Sequence, residues 1–133
     1  MFKVKTYLGQ SSIHGIGVFL GEPVKKGQLV WQFDKDFDMQ ITQKHLDALY
    51  PVQYDYFSTY CYKSIKTGFY VFCIDDAKYV NHSVTPSTTG IYPPHCLHVE
   101  GADVAARDLA VGEEITSDYL LFDSRRLPWL IAE

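Results

Sequence analysis

Little in this sequence could be crosslinked, built into a metal cluster or threaded through a bilayer. It has only three cysteines, Cys61, Cys73 and Cys96, and no Cys-x-x-Cys pair. That excludes a disulfide framework and a four-cysteine zinc site, and it fits a reducing, intracellular setting. No run approaches the roughly 18 apolar residues a membrane span needs. Met1 to Lys5 has no long apolar stretch behind it, so neither a secretory signal nor a membrane partner is expected. Excess positive charge is also missing: 12 basic residues stand against 16 acidic ones, a formal net charge of −4. Direct binding to a phosphate backbone is therefore not expected, whereas a basic peptide partner is compatible. Repeats, linkers and low-complexity tracts are absent as well.

What is present is the composition of one globular domain. The chain has 133 residues, 47% hydrophobic and 21% charged, with ten tyrosines. It is long enough to bury a core without staples. Alternation predicts a strand over residues 3–8, and loop and turn signals bound short strands over 17–20 and 28–33. β-Branched and aromatic content predicts one over 68–74, and 114–119 is the last; Gly101 turns the chain into residues 103–107. Residues 95–100 alternate like residues 3–8. Thr42 reads as the cap of a short helix to Tyr50, with Leu46 and Leu49 on one face and Pro51 just past its end. Residues 54–62 are aromatic-rich, and periodicity leaves helix and strand open. Asp34 to Asp38 reads as a solvated loop and residues 85–94, with three prolines, as an irregular one. The sum is a mostly β domain with one or two short helices.

Three stretches carry chemistry. Ser12-Ile13-His14-Gly15-Ile16-Gly17 sets two glycines one residue apart, which lets a backbone approach a ligand closely. It is not a dinucleotide fingerprint, since the third glycine and the following helix are missing. Asn81-His82-Ser83 puts two polar groups behind an apolar pair. Gly112-Glu113-Glu114-Ile115-Thr116-Ser117-Asp118-Tyr119 is an alternating strand ending in Asp-Tyr. Taken singly, each has an ordinary explanation: a tight turn, a capped turn, a core tyrosine with its hydroxyl at the rim.

In this order and spacing the three resemble the motifs of the SET-domain family of protein-lysine methyltransferases. The lead-in Lys26-Gly27-Gln28-Leu29-Val30 is similar to that family's as well. The resemblance covers nearly the whole chain and implies a single SET domain over residues 1–133. Its fold would be several small curved sheets with a C-terminal pseudoknot. It implies S-adenosylmethionine as cofactor, held by His14, Gly15, Ile16, Gly17, Asn81, His82 and Tyr119, with Tyr119 catalytic. It also implies a lysine-bearing protein or peptide substrate and a channel, to which Tyr62, Tyr70, Tyr92, Ser117 and Trp129 are the candidates. The short length is similar to minimal forms of the family, with which a homodimer is compatible.

The chemistry suits so sparse a site. The attacking lysine must be neutral, and with a reference pKa of about 10.4, losing the proton at pH 7 costs roughly 4.6 kcal/mol. A sulfonium about 4 Å away opposes a second cation by about 4 kcal/mol at an effective dielectric near 20. No histidine base is required on that account. Two departures stand out. The family's usual Asn after Asn-His-Ser-x-x-Pro is Ser87, and the bulky residue two before the catalytic tyrosine is Ser117, which predicts a roomier channel. No cysteine-rich zinc segment follows, leaving Leu127-Pro128-Trp129-Leu130 to close that side. The competing expectation is a SET-like fold used as a non-catalytic protein-interaction module. A metal site at His95, Cys96 and His98 is disfavoured, because residues three apart on a strand face opposite sides.

Overall fold

The computed structural model describes residues 1–125. They form ten short strands in three small sheets, with two helices. The strands are β1 Thr6–Gln10, β2 Ile16–Leu20, β3 Leu29–Gln32, β4 Met39–Ile41 and β5 Cys61–Lys63. The series continues with β6 Tyr70–Phe72, β7 Asn81–His82, β8 Thr88–Ile91, β9 Ala102–Ala105 and β10 Glu114–Ser117. The helices are α1 Gln43–Asp47 and α2 Pro51–Tyr60. The mostly β reading of the sequence holds. Among the described residues, no helix is long and apolar enough to cross a membrane.

One sheet has the order β1-β2-β10-β7, a second β3-β9-β8 and a third β4-β6-β5. All pairings are antiparallel except β10 with β7, where Thr116 lies beside Asn81 and Ser117 beside His82. This parallel contact joins stretches more than thirty residues apart, so the second and third motifs meet by topology rather than by sequence proximity.

Burial follows the alternation. In β2, Phe19 on the outer face is only half-buried, whereas Val18 and Leu20 on the inner face are fully buried. They pack with Val24, Val30, Ala105, Leu109 and Ile115 in the main core, each large aliphatic side chain contributing about 1.5–3 kcal/mol of burial. β6 is buried on both faces: Tyr70 and Phe72 join Ile41, Leu46 and Cys61, whereas Val71 joins Trp31, Phe33 and Cys73. That explains why β6 reads as a continuous apolar run rather than an alternation.

Several expectations need correction. Thr42 does cap α1, its hydroxyl accepting the His45 N–H at 3.1 Å. Pro51, however, does not merely follow a helix; it opens α2, where its missing N–H costs nothing. The ambiguous stretch 54–62 is helix to Tyr60 and then strand β5. The proline-rich stretch contains a real strand, β8, in its β-branched middle. Residues 95–100 form no strand despite alternating; they turn, with the His98 ring stacked 4.3 Å from Phe33 and its Nδ1 accepting the Glu100 N–H. Asp38, in the loop read as solvated, is buried. It accepts the N–H groups of Asp34 and Ile74 and pairs with the Met1 ammonium at 3.2 Å.

Candidate active site

The glycine stretch is the turn between β1 and β2. Gly15 has φ +46°, a conformation that favours glycine, and a side chain built there would meet nothing within 4 Å. The space beside it is open. Gly17 is different: a Cβ would come within 2.7 Å of Glu114 Oε2 and 3.0 Å of Ser11 Cβ.

Asn81 ties this turn to the rest. Its side-chain amide donates to the carbonyls of His14 at 3.0 Å and Ile16 at 3.2 Å, and to Glu114 Oε2 at 3.0 Å. Glu114 also accepts the Ser11 hydroxyl at 2.8 and 3.0 Å, and that hydroxyl caps the N–H groups of Ile13 and His14. One buried amide and one carboxylate thus fix the carbonyl directions of the glycine turn. Sequence reasoning named Asn81 but missed Glu114 and Ser11. The Gly-Glu-Glu run was the available signal for the first; nothing marked the second.

His82 is buried behind the third motif. Its Nδ1 accepts the Tyr119 N–H at 3.0 Å, and its ring lies 5.3 Å from that of Tyr119. The Tyr119 hydroxyl donates to the Val80 carbonyl. Burial, helped by the nearby Asp123, pushes the Tyr119 phenol well above its ordinary value. It therefore remains a protonated donor at neutral pH.

Tyr119 faces a cavity of about 340 Å³. Tyr62, Tyr92 and Ser117, three of the channel candidates, line it, together with Tyr60, Phe122 and Trp31. Tyr70 does not: its hydroxyl donates to Gln43 Oε1 at 2.9 Å and its ring packs in the β4-β6-β5 core. Burial raises the Tyr62 phenol well above its ordinary value and that of Tyr92 to a lesser degree. Trp129 lies outside the described residues. The side of the cavity is closed by Arg125, whose guanidinium donates to the carbonyls of Ser58 and Cys61, each at 2.6 Å, and to Asp123 at 2.9 Å. Burial is the largest single influence on Arg125 and would lower its pKa, but the Asp123 bond and charge, with Tyr70 and Cys61, together raise it.

Ser87, the departure from the family pattern, is 1% exposed. Its hydroxyl donates to the Glu114 carbonyl at 3.1 Å and accepts the Thr116 N–H at 2.8 Å, while its own N–H donates to Thr116 Oγ1 at 2.9 Å. Serine here sutures the loop after the second motif onto the third.

Comparison with known proteins places this chain in a family. The SET-domain family model matches residues 15–120, and the chain belongs to the SET-domain family. A candidate histone methyltransferase of Plasmodium falciparum is similar in structure, with TM-score 0.58 and 18% identity, over 96% of this chain and 98% of that one. A humanized mutant of the Chaetomium thermophilum Polycomb Repressive Complex 2, bound to an inhibitor, is similar with TM-score 0.62 and 17% identity, over 92% of this chain and 16% of that one. At such identities these two likenesses speak to fold. A search of curated proteins finds no match.

Proposed function

We propose that this chain transfers a methyl group from S-adenosylmethionine to the ε-amine of a lysine on a protein or peptide. What supports this is the meeting of three distant segments at Asn81, which leaves an exposed glycine turn on one side and the Tyr119-lined cavity close by. The fit of the cofactor is favourable on two counts. The space above Gly15 is empty out to 4 Å. The turn's exposed backbone also matches a zwitterionic amino-acid group, which needs both donors and acceptors. His14 to Gly17 would hold the methionine end, and the main chain at His82 the adenine. When bound, S-adenosylmethionine supplies a methyl group on positively charged sulfur.

The remaining work is alignment and desolvation. The Tyr119 hydroxyl and the Val80 carbonyl, held together, orient an amine nitrogen by one donor and one acceptor. Tyr62, Tyr92 and Phe122 exclude water from the aliphatic arm. Ser117 presents only a hydroxyl, 3.1 Å from Thr88 Oγ1, where a bulkier side chain would restrict the space. Di- and trimethylated products are therefore expected.

The test is incubation with isotopically labelled S-adenosylmethionine and a lysate of the host cell, with mass spectrometry of the labelled band. Label on lysine supports the reading, and no label above a boiled-enzyme control refutes it. The competing reading, a non-catalytic interaction module, predicts that outcome together with no heat on titrating the cofactor.

A further inference from the structure

Three carboxylates line the Tyr119 cavity, and they are not equivalent: Asp123 is held by the Arg125 guanidinium. Glu100 is buried and fully engaged: Ser64, Thr67 at 2.7 Å and Gln40 at 2.9 Å all donate to it. Asp103 has no such support. It projects from β9, lines the same cavity and accepts no hydrogen bond from any described residue. Its cross-strand partner on β3 is Trp31, which is 7% exposed and also lines the cavity; among the described residues its indole N–H has no hydrogen-bond partner either. A buried indole N–H without a partner is rare in a folded core, and here it stands across the strand pair from a half-buried carboxylate that accepts no hydrogen bond from a described residue. In a cavity they mark where a polar guest sits.

The surroundings of Asp103 are otherwise aromatic and apolar. Tyr62 faces it from β5, Cys73 from the end of β6 and Tyr92 from the end of β8, and each of these acids is pushed up in pKa in part by the Asp103 charge. The Met1 ammonium is the positive group that opposes the effect of burial on Asp103 itself. Burial wins and lifts the carboxyl to about 6. A group that titrates near neutrality can gain and lose a proton at little cost in either direction. The phenol of Tyr119 cannot, since it stays protonated throughout this range.

We propose that Asp103 is the counter-ion and proton acceptor for a primary ammonium entering this cavity. This rests on the transferase reading, in which the substrate arrives as a cation and must react as a neutral amine. An N–H bond of the ammonium breaks and its electron pair stays on nitrogen. The proton forms an O–H bond on the Asp103 carboxylate and passes to solvent when the cavity next opens.

The test uses n-butylamine as the probe, with n-butanol as the uncharged control. Wild-type protein carrying carboxyl-13C aspartate is titrated with pH by NMR, with and without probe. The Asp103 signal is expected to titrate near pH 6 and to move down by a unit or more with butylammonium, the shift that a tenfold preference for the ionised carboxylate requires. Asp103→Asn is expected to bind butylammonium at least tenfold more weakly at pH 8, with butanol binding unchanged, and to lose the acid limb of kcat/KM near pH 6. Unchanged butylammonium affinity in Asp103→Asn, or an Asp103 titration insensitive to the probe, would overturn the proposal. Methyl transfer by wild type together with an unaltered pH profile in Asp103→Asn would also refute this inference while leaving the transferase reading intact. Absence of transfer by wild type with Asp103-dependent amine binding preserved would refute the transferase reading and support the amine pocket.

Discussion

Replacing Ser87 with alanine removes three of the four hydrogen bonds that fasten residue 87 to β10, the longest of them donated by the Thr116 hydroxyl at 3.4 Å. The Thr116 N–H loses its acceptor at 2.8 Å and the Glu114 carbonyl loses a donor at 3.1 Å, while the bond from the residue 87 N–H to Thr116 Oγ1 survives. The site is 1% exposed, so water cannot take the place of the hydroxyl without opening the structure. A stranded buried N–H costs about 1–3 kcal/mol and the second lost bond about 1 kcal/mol, so about 2–4 kcal/mol in all. For a chain of this size, at about 4 °C per kcal/mol, the melting temperature should fall by roughly 8–16 °C. The assay is reversible thermal unfolding followed by circular dichroism. Ser83→Ala is the control: it removes a half-buried hydroxyl bonded only locally, to the N–H of Thr85 at 3.1 Å and its hydroxyl at 3.4 Å, and should cost less than about 1 kcal/mol. A Ser87→Ala protein melting within about 2 °C of wild type would refute the suture.

Three further outcomes are expected. Arg125→Ala leaves the buried Asp123 without its cation and two carbonyls without donors, a loss of about 3 kcal/mol that a denaturant midpoint would report. Asp103→Asn should stabilise the fold at pH 8, where the half-buried carboxylate is charged, by on the order of 2 kcal/mol. The sign follows from the raised acid pKa: the folded state holds the proton more tightly than the unfolded chain, so wild-type stability falls as pH rises from about 4 to 6, and the variant's advantage should vanish toward pH 4. Tyr119→Phe keeps the ring against His82 but loses the donor to Val80. Turnover should drop at least about 100-fold with the far-ultraviolet spectrum unchanged.

How much of this was legible in the sequence depended on whether a feature was local. The glycine pair, Asn81-His82 and Gly112-Glu113-Glu114 are short words whose meaning is carried by residue type, and the structure brings them together. β2, β3 and β10 were legible from their β-branched and aromatic content and the turns that bound them, although β3 and β10 bury residues on both faces. β8 was hidden because Pro86, Pro93 and Pro94 drew attention away from the threonines between them. Residues 95–100 misled because alternation there reflects a turn packed on Phe33, not a pleat. Tyr70 was a plausible channel residue by type, but antiparallel pairing of β6 with β4 turns its ring into another core. The hydrogen-bonding roles of Glu100, Asp103, Ser87 and Glu114 were not legible, though Ser87 and Glu114 stood in recognisable motifs. Each is a single polar letter whose burial arises only when strands distant in sequence close over it.

The central claim is that the turn from His14 to Gly17, fixed by Asn81 and Glu114, seats the methyl donor. The direct measurement is calorimetric titration of S-adenosylmethionine into wild type and into Gly17→Ala, whose added methyl would lie 2.7 Å from the Glu114 carboxylate and displace it from Asn81. The account predicts one site per chain in wild type and at least tenfold weaker binding in the variant, with both proteins folded. No binding by wild type, or equal binding by the two, would contradict it.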